Sequence, residues 1–371
     1  MIPGMIDAHV HLVHVLDFAH VTGDEILPLF TAAGVTSVRS AGDEVVAATA
    51  VAHYARSHPE TCPRVFTCSP LIDGDPVYHK DIGIPVTDPE QVPKLLDDMR
   101  HWEVRTVKIY ARSKRNVGQR VITEAHQRGM IVTAHLGAYS AQDAVADGVD
   151  CLEHIWSVFN YVIPAAVAQK PGHRGTVDFN NPLVKELVPE LVRRKVRVDP
   201  TLSVFRNMIL LNDLPEVANH PDNQTVPERL RQFWPRYTPP PKAPLEERRA
   251  EFRKYQELTG ILHKAGVTIL AGTDTPEPNV APGLSLHQEL EFLVQAGLSP
   301  AAALQAATIN NAHILREGKT LGSIEAGKWA DLVILEANPL DDIRNTRRIQ
   351  SVVKGGSLVT PAELLRLVPR K

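Results

Sequence analysis

Two histidines one residue apart, His9-Val10-His11, stand near the start of the chain. On a β-strand, side chains two apart share a face, so two imidazoles placed this way can chelate one metal ion. The pair alone is a weak signal, since polar residues at a strand end are common. Four further residues repeat the placement. Lys108 sits inside Thr106-Val107-Lys108-Ile109-Tyr110, on the face of Thr106 and Tyr110, and a lysine is rarely buried unless paired or modified. His135 closes the apolar stretch 131–135, His154 closes 149–154, and Asp274 follows 267–273 directly after Ala271-Gly272-Thr273. Each alone has a plain reading, as a core histidine or an aspartate capping the next helix. Together they are the imidazole and carboxylate donors that zinc and its neighbours accept. Asp7 shares the parity of His9 and His11 and is expected either to orient a ligand from behind or to be a buried structural carboxylate. His14 and His20 fall past the strand end and read as loop or helix residues.

The elements that must position these residues alternate along the chain. Apolar strands are expected at 5–11, 35–39, 64–69, 104–110, 131–135, 149–154, 196–202 and 267–273, with amphipathic helices between them, the pattern of parallel β/α architecture. Asp88-Pro89 reads as an N-cap followed by proline at the first helical position, with Val92, Leu95, Leu96 and Met99 then on one face. Gly34, Gly129, Gly148 and Gly266 each stand just ahead of a strand, where a helix end favours a left-handed residue. Eight such units make a (β/α)8 TIM barrel, an α/β fold. The candidate ligands then fall at the C-terminal ends of strands one, four, five, six and eight, the end where barrel active sites sit.

Two regions break the rhythm. An insert at 205–248, with Trp234-Pro235 and Pro239-Pro240-Pro241, lies on the face where function sits; it is either a lid or a mobile loop. After the barrel, Ser299-Pro300 opens a last helix running to residue 315, and strands at 331–335, 349–353 and 357–359 form a small, incomplete C-terminal β appendage. The expected division is a barrel domain at 1–316 and the appendage at 317–371.

Composition narrows the class. The chain has 371 residues, 43% hydrophobic and 22% charged, with a formal net charge of -3. Near-neutral charge gives no electrostatic footprint for nucleic acid or an anionic membrane, and no apolar run approaches the roughly 20 residues that span a bilayer. The expected partner is a small-molecule substrate, in a chain able to form homo-oligomers. Cys62, Cys68 and Cys151 lack zinc spacing, and their odd number suits a reducing compartment. A cytoplasmic location is the default.

Pro3-Gly4-Met5-Ile6-Asp7-Ala8-His9-Val10-His11 resembles the opening motif of the amidohydrolase superfamily. Ala271-Gly272-Thr273-Asp274, Thr308-Ile309-Asn310-Asn311-Ala312 and the closing Leu321-Gly322-Ser323-Ile324-Glu325-Ala326-Gly327-Lys328-Trp329-Ala330-Asp331-Leu332-Val333 resemble it as well. Within the superfamily the chain is most similar to the imidazolonepropionase-like branch that includes metal-dependent Xaa-Pro dipeptidases. The resemblance implies a binuclear site, usually zinc. His9 and His11 would hold one ion and His135 and His154 the other. A carboxylated Lys108 would bridge the two, and Asp274 would ligate the first ion and serve as the proton acceptor. It also implies hydrolysis of a carboxamide-like C–N bond, with a dipeptide (Xaa-Pro-like) or an N-acyl amino acid as substrate. Tyr110 and Arg112, just past Lys108, are candidates for gripping a substrate carboxylate, with rim packing or a surface salt bridge as the alternative. Tyr139 is a weaker candidate, four residues beyond His135 where prolidase-like relatives often place a tyrosine two beyond.

Other functions compete. A cyclic amide or imidazolone hydrolase is typically mononuclear without a lysine bridge, so Lys108 argues against it. Lactone or organophosphate ester hydrolysis fits the same metals. A non-catalytic scaffold is disfavoured because every ligand position is filled. The family pattern also places several strands ahead of the opening motif, whereas here the motif stands at the start. A late start, a cut chain or an upstream signal peptide would each account for it, and the appendage is expected to lack pairing partners.

Overall fold

The computed structural model of the protein describes residues 1–169, 172–241 and 243–369; Lys242 of the expected insert and the last two residues of the expected appendage lie outside the described residues. Parallel strands Met5–Val10, Val35–Ser40, Arg64–Asp73, Thr106–Ile109, Ile131–Ala134, Cys151–Glu153 and Arg197–Asp199 follow one another around a barrel in chain order. The eighth position, expected at 267–273, is held by single bridges, Ile269 to Val198 and Thr275 to Val10. Backbone bonds from Leu270 N to Val198 O (2.9 Å) and from Ala8 N to Ala271 O (3.0 Å) close the ring there. The approach is tight: a Cβ on Gly272 would fall 2.2 Å from Asp199 Oδ2 and 2.7 Å from His9 Cβ, so only glycine fits.

Every residue of Met5–Val10, Val35–Ser40, Thr106–Ile109 and Ile131–Ala134 is buried, as expected of parallel strands covered on both sides. The four strand-preceding glycines all take positive φ, +74° at Gly34, +69° at Gly129, +100° at Gly148 and +97° at Gly266. Asp88 caps as anticipated: a capping box with Gln91 opens the short 3-10 turn Pro89–Gln91, and helix Val92–His101 continues from it with Val92, Leu96 and Met99 buried. The last barrel helix begins where Ser299 Oγ accepts from Ala302 N and is widened by a π-helical turn, Ala306–Asn310, before Asn311–Ile314.

The insert is built rather than loose. It contains a π-helical segment, Phe205–Leu210, and helices Pro215–Ala218 and Glu228–Tyr237. Trp234-Pro235 lies within the last of these, with the buried Trp234 donating from Nε1 to Pro276 O at 2.9 Å.

The appendage corrects one expectation. Its strands are not short of partners at their outer edge, because Ile2–Pro3 pairs antiparallel with Val333 and Leu332. The result is a four-stranded sheet of Ile2–Pro3, Leu332–Leu335, Ile349–Lys354 and Ser357–Val359. The terminal helix Pro361–Leu365 then packs on the barrel helix Gly23–Ala32. Strand Gly83–Pro85, which pairs with the end of Arg64–Asp73, had no counterpart in the sequence reading. No helix among the described residues is long and apolar enough to cross a membrane.

Candidate metal centre

The six anticipated ligands come together at the C-terminal end of the barrel. His11, Lys108, His135, His154 and Asp274 line one cavity of about 50 Å³, with His9 fully buried beside it. Asp274 Oδ1 lies 3.4 Å from His9 Nε2 and 3.2 Å from His11 Nε2, and Asp274 Oδ2 lies 3.8 Å from His154 Nε2. Lys108 Nζ is 3.0 Å from His9 Nε2 and donates to Ala41 O at 2.8 Å. The rings of His9 and His154 are 4.7 Å apart, and those of His154 and His135 are 4.6 Å apart.

Local backbone geometry explains how two of these arrive. His9, His11, Lys108 and His135 continue the inward parity of their strands. On strand Cys151–Glu153, however, it is Glu153 that faces the barrel interior, among Arg39, His9 and Thr133. His154 enters the cavity because its backbone turns to φ +64°. Asp274 does the same at φ +64°, one residue after the inward Thr273. Non-glycine residues held in this region carry strain that surrounding structure must enforce.

Three of the four candidate histidines are held from behind. Nδ1 of His9 meets Glu153 Oε2 at 2.7 Å, Nδ1 of His11 meets Asp43 Oδ1 at 3.3 Å, and Nδ1 of His154 meets Thr201 Oγ1 at 2.7 Å. In all three the bond leaves Nε2 toward the centre, the arrangement that fixes the tautomer of a metal-ligating imidazole. His135 Nδ1 is buried with no hydrogen-bond partner. Such an orphaned nitrogen is uncommon in a folded interior and fits a metal ligand.

Electrostatics agree with the donor set. Burial and then the Lys108 charge push His9 down to about 4 and His135 to about 3. Burial, followed by His135, also holds His154 well below its ordinary range. These three are neutral imidazoles with free lone pairs. Burial lowers the Lys108 amine as well. Burial alone would raise Asp274, but His9, His11 and His154 outweigh it and hold the carboxyl well below its usual range. His11 differs: burial would lower it, yet Asp274 and Asp43 carry it up to about 9. Beneath the cavity, burial and Glu153 raise Asp199, while Arg39 and His9 overcome the burial of Glu153 and keep it ionised.

The remaining anticipated residues separate. Tyr110 lines the cavity, its ring 4.7 Å from that of His135. Arg112 does not; its guanidinium donates to Pro76 O at 2.8 Å and Val77 O at 3.1 Å and holds that loop. Tyr139 does not either, being buried over Gly118 with its hydroxyl on Asp147 Oδ2 at 2.8 Å. Asp7 accepts from His9 N, Thr273 N and Thr273 Oγ1 and so ties strand one to the closing segment.

Three polar residues of the cavity were not anticipated there. His14 is buried and bonded to Asp81 Oδ2 at 2.5 Å and to the Tyr237 hydroxyl at 3.2 Å. His79 contacts the Tyr110 hydroxyl at 3.1 Å, and Glu277 completes the wall. The sequence offered His14 as a nearby histidine only; nothing local distinguishes His79 or Glu277 from surface polar residues.

Comparisons with known proteins bear on this geometry. A model of the amidohydrolase family matches residues 1–359. Over 100 residues the chain is 40% identical to ochratoxinase of Aspergillus niger, a stretch covering 26% of this chain and 20% of that protein. Over 110 residues it is 34% identical to imidazolonepropionase of Shouchella clausii, covering 28% of this chain and 24% of that one. The matched stretches thus span only about a fifth to a quarter of these curated relatives. A solved structure of a Bifidobacterium longum protein assigned to the prolidases superposes with a TM-score of 0.71 at 27% identity, covering 99% of this chain and 84% of that one.

Proposed function

The chain belongs to the amidohydrolase family, and on that premise we propose that it is a metal-dependent hydrolase of a carboxamide-like C–N bond in a dipeptide, Xaa-Pro-like, or an N-acyl amino acid. The observation that carries the reading is the convergence of Lys108 and five imidazole or carboxylate donors on one cavity. His9, His11 and Asp274 would hold one divalent ion, and His135 and His154 a second, zinc being the metal best matched to these donors. Lys108 would join them as a carbamate: its neutral amine nitrogen bonds the carbon of carbon dioxide and loses a proton, giving an anion where a cation would repel both ions. When bound, such ions acidify water and polarise the scissile carbonyl.

The chain's own groups do the rest. Asp274, ionised and facing His9 and His11, accepts a proton at its carboxylate and passes it to the leaving nitrogen. Glu153, Asp43 and Thr201 hold the three imidazoles so that no reorganisation is needed in the reaction. The prolidase likeness supports the dipeptide choice, and Tyr110 is the one anticipated substrate contact within the cavity. The test is a panel of Xaa-Pro dipeptides and N-acyl amino acids offered to zinc-loaded protein. Release of the free amino acid is expected, and failure to cleave any member with zinc bound would overturn the reading.

A further inference from the structure

Glu277 is a buried acidic side chain with no hydrogen-bond partner at Oε2. It follows Asp274 in a backbone turn, with Glu277 N donating to Asp274 O at 3.2 Å and Val280 N to Glu277 O at 2.8 Å, so its direction is set by the chain. The residue is 7% exposed and lines the same cavity as the candidate metal ligands. Its Oε2 is buried without a hydrogen-bond partner. Its Oε1 lies 3.8 Å from His14 Nε2, beyond hydrogen-bonding distance. Among the described residues no lysine or arginine pairs with it, and the charges that act on it are the like charges of Asp274 and Asp81 and the opposite charge of His11. A buried acid left this way is either kept neutral by its surroundings or stabilised as an anion by an arriving cation.

We infer that Glu277 receives the free α-ammonium group of a peptide substrate, which narrows the proposed hydrolase to substrates with an unblocked amino terminus. The inference rests on the hydrolase reading of the same cavity. In a dipeptide the ammonium is one carbon from the scissile carbonyl, so the two groups must share one small space, as Glu277 and the ligand set do. An ammonium brings three donors and a positive charge, with the Tyr110 ring on the same wall to favour a cation. An N-acyl nitrogen brings one donor, no charge and added bulk.

The experiment compares zinc-loaded wild type and Glu277→Gln on L-alanyl-L-proline and N-acetyl-L-alanyl-L-proline, with zinc content and calorimetric binding of both compounds measured in parallel. Wild type should prefer the free dipeptide by roughly 10- to 100-fold in kcat/KM, as for an unmet charged hydrogen bond. In Glu277→Gln that preference should collapse while zinc is retained. Equal use of both compounds by wild type, or loss of zinc in the variant, would overturn the inference and leave the hydrolase reading standing. Preferential binding of the free dipeptide without cleavage would do the reverse.

Discussion

At the end where the barrel strands begin, a cleft of about 620 Å³ opens between the barrel and the appendage, walled by Arg64, Trp102, Arg105, Arg128, Trp329 and Lys354 among others. At the opposite end the cavity among the imidazoles is about 50 Å³. The arginines of the larger space are paired. Arg64 pairs with Asp331 at 3.1 Å, Arg105 with Glu317 at 3.1 Å, and Arg128 with Asp97 at 2.8 Å and Glu124 at 2.5 Å. The smaller space holds neutral imidazoles, a lysine lowered by burial, and two buried atoms with unmet bonding capacity, His135 Nδ1 and Glu277 Oε2. What marks the candidate site is the gathering of imidazole and carboxylate donors around one lysine, and not volume.

Substitutions at four positions probe the contrast. Lys108→Ala should act most strongly, removing the proposed bridge. Metal content measured by mass spectrometry should fall, and turnover should drop by more than the roughly 10- to 100-fold lost when a supporting partner is removed. Short carboxylic acids with added zinc should partly restore both, whereas Lys108→Arg, which stays protonated in the same space, should not respond. Unchanged zinc in Lys108→Ala would break the bridge assignment. Next, Asp274→Asn should lower kcat by about 10²- to 10⁴-fold; activity within a few-fold of wild type would place the proton acceptor elsewhere. Glu153→Gln removes the charge behind His9 and should weaken zinc affinity by about 10- to 100-fold in a competition titration with a chelator, an effect a purely packing role would not produce. Arg105→Ala, in the large cleft, should change stability by less than about 1 kcal/mol in denaturant titration and leave turnover untouched, because the Arg105 side of its ion pair is exposed to solvent. A marked loss of activity there would show that the two ends are not independent.

How much of this was legible in the sequence depends on what positions each residue. His9, His11, Lys108 and His135 obey strand parity, so a period of two finds them. His154 and Asp274 are one step off the inward register and arrive through positive φ; their place at a strand end could be read, but the backbone turn that aims them could not. Glu153, Asp43 and Thr201 come from other strands and loops, and only the closed barrel brings them behind the imidazoles. Arg112 and Tyr139 failed for the same reason in reverse, since proximity in sequence to Lys108 and His135 says nothing of which neighbour their polar atoms meet. The pairing of Ile2–Pro3 with the tail strand is likewise a contact between chain ends that no local pattern encodes.

The insert carries a further consequence. Its helix Glu228–Tyr237 sits on the cavity through the Trp234–Pro276 bond, the Tyr237 hydroxyl on His14 and the Arg229 guanidinium on His20 O. A space of about 50 Å³ beneath it is well below the roughly 300–1,000 Å³ of ordinary ligand pockets. The helix is thus placed beside the space a dipeptide would need to enter and leave. If the release of these contacts limits turnover, the step runs on a clock of roughly microseconds to milliseconds, and turnover would slow in viscous solvent with the chemistry unchanged.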